Sequence, residues 1–148
     1  MSDSVINLAE LKAKAEALTS ARTRLTYLFD EGNFSELDPF YSSDSDLAGV
    51  ITAFGYVEGN PVYAFSQDIS VKSGALTEAQ AKKIVKVYDL AAKTGVPVVG
   101  IYDSFGADLS NGCKALNSYG ELLMWTSNLS GVVPQISVVA LSLLILLL

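Results

Sequence analysis

Residues 95–137 constrain this chain more than any other stretch. GVPVVGIYDSFGADLSNGCKALNSYGELLMWTSNLSGVVPQIS reads as a buried strand, a sharp turn, a helix and the start of a second strand. Val96, Val98, Val99 and Ile101 form an apolar, β-branched run of the kind that buried parallel strands show. Gly95, ahead of Pro97, closes the preceding helix. Asp103-Ser104-Phe105-Gly106-Ala107 then places small and turn-forming residues just past the strand's carboxyl end. In open α/β sheets that is where ligands sit.

The remaining punctuation sets the order of elements. Asn7 with Glu10 reads as a capping box opening a first helix, with Leu8, Leu11, Ala15 and Leu18 on one face. A second helical pattern follows Ser20, carries Leu25, Leu28 and Phe29, and ends at Gly32; together the two are expected over roughly 8–30. Residues 35–46 read as a polar loop broken by Pro39. Strands are expected at 49–57 and 62–71, joined by a tight turn at Glu58-Gly59-Asn60-Pro61. Thr77 with Gln80 is a second capping box, and Ala81, Ile84, Val85, Tyr88 and Ala91 mark the buried face of a helix ending at Gly95. A strand at 96–102, a helix near 111–127 and a strand from about 135 complete an ααββαβαβ order, with no internal repeat.

Composition narrows the class. A chain of 148 residues suits one domain with a real core. A net charge of −6 gives no electrostatic footprint for nucleic acid. One cysteine, Cys113, rules out an intramolecular disulfide and suits a reducing compartment, so a cytoplasmic location is expected. Cys113 reads as a buried or half-buried helix thiol, since the sequence has no histidine to activate it. The amino terminus lacks a basic segment followed by an apolar core and is not read as a secretory signal. Ile136–Leu148 is apolar apart from two serines, but a bilayer-spanning helix needs about 20 residues. A buried strand leading to an exposed end is favoured over a membrane anchor.

Three motifs carry a family resemblance: Asp103-Ser104-Phe105-Gly106-Ala107-Asp108, Tyr119-Gly120-Glu121, and Ser130-Gly131-Val132-Val133-Pro134-Gln135-Ile136-Ser137. Arg22-x-Arg24-Leu25, Leu28-Phe29-Asp30-Glu31-Gly32, Gly59-x-Pro61-Val62 and Ser66-Gln67-Asp68 extend it upstream. Over roughly residues 20–139 the chain resembles the carboxyltransferase subunits of biotin-dependent acyl-CoA carboxylases and decarboxylases, of the propionyl-CoA and methylmalonyl-CoA type. The resemblance implies an α/β, ClpP/crotonase-like spiral, with residues 1–148 forming an incomplete N-terminal carboxyltransferase domain.

It also implies a chemistry that does not need histidine. Carboxybiotin releases CO2, the biotin anion takes the α-proton of the acyl-CoA, and the thioester enolate attacks CO2; decarboxylases run the sequence in reverse. The protein contributes positioning and an oxyanion hole of backbone N–H groups. The implied substrate is a short-chain acyl-CoA. Biotin would sit on a partner carrier protein, the missing C-terminal domain or a partner subunit would complete the site, and no metal is expected.

By the same resemblance, Gly74 and Ala75 are backbone oxyanion donors, where the family often has Gly-Gly-Ser at Ser73-Gly74-Ala75. Read from the residues alone, that segment is an ordinary strand-to-helix turn ahead of the Thr77 cap. Arg22 and Arg24 match an Arg-x-Arg that meets CoA phosphates, or they form a solvated helix face. Asp103, Ser104, Phe105, Gly106 and Ala107 line the CoA pocket, unless Asp103 serves as a cap. Phe105 stands where the family has glycine and Asp108 where it has arginine, which affects acyl selectivity. After Val139 the family continues with a glycine-rich oxyanion turn, whereas this chain runs Ala140–Leu148 without glycine. A truncated or frameshifted relative that self-associates through a bare apolar end is the expectation. The alternative is a non-catalytic module that keeps the fold and binds CoA or a partner, or a protein tethered to a membrane by its tail.

Overall fold

The computed structural model describes residues 9, 13, 18–43, 46–106 and 112–140. The expected Asn7 cap, Leu8, Leu11 and Ala15 of the first helical face, Ala107, Asp108 and the 141–148 tail lie outside the described residues, while Leu18 of that face is buried in the core. Beyond the helical residues Ala9 and Ala13, the described chain runs through helix α1 (Thr19–Leu28) and a single 3-10 turn at Asp30–Gly32. Strands β1 (Phe34–Leu37), β2 (Ser42–Ser43), β3 (Asp46–Leu47), β4 (Val50–Val57) and β5 (Asn60–Gln67) follow. After a 3-10 turn at Lys72–Gly74 come α2 (Glu78–Thr94), β6 (Val98–Tyr102), α3 (Cys113–Asn128) and β7 (Gln135–Val139).

Five strands form one sheet in the order β1-β4-β5-β6-β7. β1, β4 and β5 pair antiparallel, while β5, β6 and β7 pair parallel. The expectation that 96–102 and 135–140 share a sheet is met, with Val99 opposite Ile136 and Ile101 opposite Val138. Side chains alternate across the sheet and build two cores. On one face, Val50, Phe65 and Val98 pack with Ile84, Val87 and Ala91 of α2 and with Leu129 beyond α3. On the other, Ile51, Ala64, Val99 and Ile101 pack with Ala21, Leu25 and Phe29. The result is three layers, with α2 and α3 on one side of the sheet and α1 on the other.

Several expectations are corrected. The segment read as a polar loop contains β1, β2 and β3. β1 exists because β4 offers it a four-residue antiparallel register and Phe34 stacks on Phe29 with ring centroids 5.6 Å apart. The strand expected over 62–71 is shifted to 60–67, because the chain turns at Asp68. That buried carboxylate accepts from the N–H and hydroxyl of Ser70 and from the N–H of Ala21 at 3.0 Å, tying the strand end to the start of α1. The hairpin turn is tighter than read: it consists of Glu58 and Gly59 (φ 50° and 74°), with Val57 opposite Asn60. Only half of the second capping box forms. Thr77 accepts from the Gln80 N–H, but the Gln80 side chain points into the core. Cys113 is exposed at the first turn of α3. Among the described residues no helix is long and apolar enough to cross a membrane.

Candidate active site

Two turns meet beyond the carboxyl ends of β5 and β6. The first, after β5, holds three successive residues with positive φ: Lys72 (47°), Ser73 (55°) and Gly74 (68°). Two of these carry a Cβ, so the backbone is strained where glycine would be at ease. The second turn, Asp103–Gly106, follows β6. A Cβ added to Gly74 would stand 2.1 Å from the Asp103 carbonyl oxygen and 2.9 Å from Ser104 Cα. Close backbone approach at Gly74 therefore exists, and its object in this structure is the neighbouring turn. Two hydrogen bonds join the turns, from Phe105 N–H to the Ser73 carbonyl (3.3 Å) and from Leu76 N–H to the Gly106 carbonyl (2.9 Å).

The proposed oxyanion donors are engaged within their own turn. Gly74 N–H donates to the Val71 carbonyl at 2.8 Å and Ala75 N–H to the Lys72 carbonyl at 3.0 Å. Both arginines are paired with carboxylates. Arg22 donates to Glu36 at 2.9 Å in a part-buried pair. Arg24 donates to Asp103 at 2.5 Å and to the Gln67 carbonyl at 3.2 Å. Asp103 is fully buried, and one of its oxygens, Oδ1, has no hydrogen-bond partner. The structure thus brings Gly74, Ala75, Arg24 and Asp103–Gly106 together, and leaves Arg22 outside that group on the β1 side.

Behind the Ser104–Gly106 turn lies an apolar cavity of about 310 Å³ between α2, α3 and the ends of β6 and β7. Phe105, 48% exposed, stands on its wall. Tyr88, Tyr102 and Tyr119 also line it. Burial raises the Tyr88 and Tyr119 phenols above their ordinary value, and the Tyr102 hydroxyl adds to the effect at Tyr88. These phenols are neutral hydrogen-bond donors at physiological pH. No charged side chain lines the cavity among the described residues.

Sequence reasoning missed the buried polar chain beneath the turns. Asp103 N–H donates to Gln67 Oε1 (3.3 Å), and Gln67 Nε2 donates to Gln80 Oε1 (3.2 Å). Its signal was available in Ser66-Gln67-Asp68, a polar triplet ending an apolar strand; all three side chains are buried.

The family model described as carboxyl transferase domain matches residues 13–142. The chain is 46% identical over 138 residues to methylmalonyl-CoA decarboxylase subunit alpha of Propionigenium modestum, covering 86% of this chain and 27% of that protein. It is 44% identical over 141 residues to the propionyl-CoA carboxylase beta chain of Saccharopolyspora erythraea, covering 88% and 26%. It superposes with a TM-score of 0.80 and 31% identity on a transcarboxylase 12S crystal structure with hydrolysed methylmalonyl-coenzyme A bound, covering 90% of this chain and 32% of that one. The chain therefore spans about a quarter of the length of these curated relatives. The fold is the crotonase-like α/β fold of these carboxyltransferases.

Proposed function

Because the chain belongs to the carboxyl transferase domain family, we propose that it forms the acyl-CoA-binding part of a cytoplasmic carboxyltransferase that moves a carboxyl group between biotin and a short-chain acyl-CoA. One observation carries the reading: on a chain of this family, a strained turn after β5 abuts the turn after β6 at the carboxyl ends of parallel strands, beside an apolar cavity that no charged side chain lines among the described residues. Biotin on a partner carrier would supply both the carboxyl group and the base for the α-proton. A further carboxyltransferase domain or subunit would close the site.

The chain's own residues bind and orient. The thioester oxygen would approach the Gly74–Ala75 turn and compete with the Val71 and Lys72 carbonyls for its two N–H groups. The Ser104–Gly106 turn would line the thioester's path, with Phe105 limiting the acyl group. Arg22, partly exposed and held by a single carboxylate, is placed to exchange Glu36 for a phosphate. The test is calorimetric titration of the chain with CoA and propionyl-CoA. Binding is expected, weakened by Arg22→Ala by about 1–3 kcal/mol, as loss of a charge-assisted contact does. Absence of binding by either ligand would refute the reading.

A further inference from the structure

Arg24 matches a phosphate-meeting pattern in the sequence, but its guanidinium faces inward. Nη1 donates to the Gln67 carbonyl at the end of β5, and Nη2 donates to Asp103 Oδ2 just past the end of β6. One planar side chain thus ties the ends of two parallel strands together. Asp103 is fully buried and its Oδ1 has no partner, so its charge is balanced through Arg24. What Asp103 holds in turn is the rim of the candidate site. Its carbonyl lies against Gly74, and the following residues cross to the first turn through the Phe105 and Leu76 N–H groups. Three successive left-handed residues stay in place in that turn only where their surroundings over-determine them.

We propose that Arg24 is a positioning residue: it locks the Asp103–Gly106 turn against the Lys72–Ala75 turn and so fixes the rim that receives the thioester, without contacting phosphate. The clause about the thioester rests on the acyl-CoA reading above. A guanidinium suits the task because its rigid fork meets two acceptors in fixed directions, which an ammonium does not.

The test uses the full chain with Arg24→Lys and, separately, Asp103→Asn, which is nearly isosteric and carries the comparison if Arg24→Lys does not fold. Amide hydrogen exchange at Phe105 and Leu76 is followed alongside amides of β4 and β5. Calorimetry is run with propionyl-CoA and with propionyl-N-acetylcysteamine, a thioester that has no phosphates. Exchange at Phe105 and Leu76 should quicken about tenfold in both variants while the strand amides keep their protection. Affinity for both thioesters should fall about tenfold, as loss of a charge-assisted bond implies. The double variant should be no weaker than the weaker single one, because both remove the same lock. A loss confined to propionyl-CoA would make Arg24 a phosphate contact and overturn the proposal. Unchanged exchange at Phe105 and Leu76 would overturn it as well. If the unaltered chain binds neither thioester, the acyl-CoA reading fails together with the thioester clause, and amide exchange alone decides whether Arg24 is the lock.

Discussion

At the scale of single residues, Gly74 and Lys83 show opposite ways of tolerating an unfavourable environment. Gly74 combines φ of 68° with backbone contact against Asp103, so a methyl group has neither the conformation nor the room. Gly74→Ala should destabilise the fold by about 3 kcal/mol, the sum of backbone strain and a displaced turn, as read from chemical denaturation. Lys83 is buried on α2 and donates to the Val50 carbonyl at 2.8 Å. Burial lowers its pKa to about 8 from the ordinary 10.5. Between those values the unfolded chain holds a proton that the native chain has released, so stability rises with pH, by about 1 kcal/mol per unit. Tyr88 opposes this above pH 10, because its raised pKa keeps the native phenol protonated while the unfolded one ionises. Thermal melts between pH 8 and 10 should therefore show a rising Tm that Lys83→Met flattens. The family resemblance singled out Gly74 for close backbone approach, whereas the residues alone read as an ordinary turn ahead of the Thr77 cap, and neither indicated that Gly74 packs on Asp103. Nor could sequence show Arg24 on Asp103, a contact 79 residues apart that no local pattern encodes.

At the scale of elements, α2 was legible because its ends are chemically marked. Thr77 caps α2, and Gly95 closes it with φ of 72° and an N–H to the Ala91 carbonyl. Thr77→Ala should cost about 1 kcal/mol in denaturant unfolding, the usual worth of an N-cap hydroxyl. The buried face of α2 was only partly legible. Gln80 and Lys83 turn inward although their side chains are polar, because Gln67 and the Val50 carbonyl await them. β6 and β7 were legible as apolar runs flanked by turn residues. β1 was not, because Phe34-Ser35-Glu36-Leu37 is short and polar at its centre. Its strand character comes from the open edge of β4, which is a tertiary fact. The same holds for the end of β5, where β-branched Ile69 and Val71 extend the strand reading beyond the polar triplet but Asp68 bends the chain.

At the scale of the molecule, the sheet ends on a strand that the layers formed by the described residues do not cover. Parallel strands are found buried on both faces. β7 lies at the sheet edge with Ile136, Val138 and Val139 about half exposed. Ile136 and Val138 are in register with Val99 and Ile101, which α1 does cover, so the bare surface begins where the reach of α1 stops. On the opposite layer, Leu116, Leu123 and Met124 of α3 are also exposed. Apolar surface of this extent favours association. The 148-residue chain should accordingly self-associate at micromolar concentration in sedimentation velocity, and Leu123→Glu with Val138→Lys should shift it toward monomer. The chain spans about a quarter of its curated relatives, and the two N–H groups proposed as oxyanion donors, of Gly74 and Ala75, are bonded within their own turn. Loss of even one oxyanion donor costs about 100- to 1,000-fold in rate, and an unpositioned second reactant costs more. Assayed alone with a carboxylated biotin donor and propionyl-CoA, the chain should show no turnover above background. A monodisperse monomer that carboxylates propionyl-CoA would show that β7 needs no further layer and that the Gly74–Ala75 turn suffices as the oxyanion site.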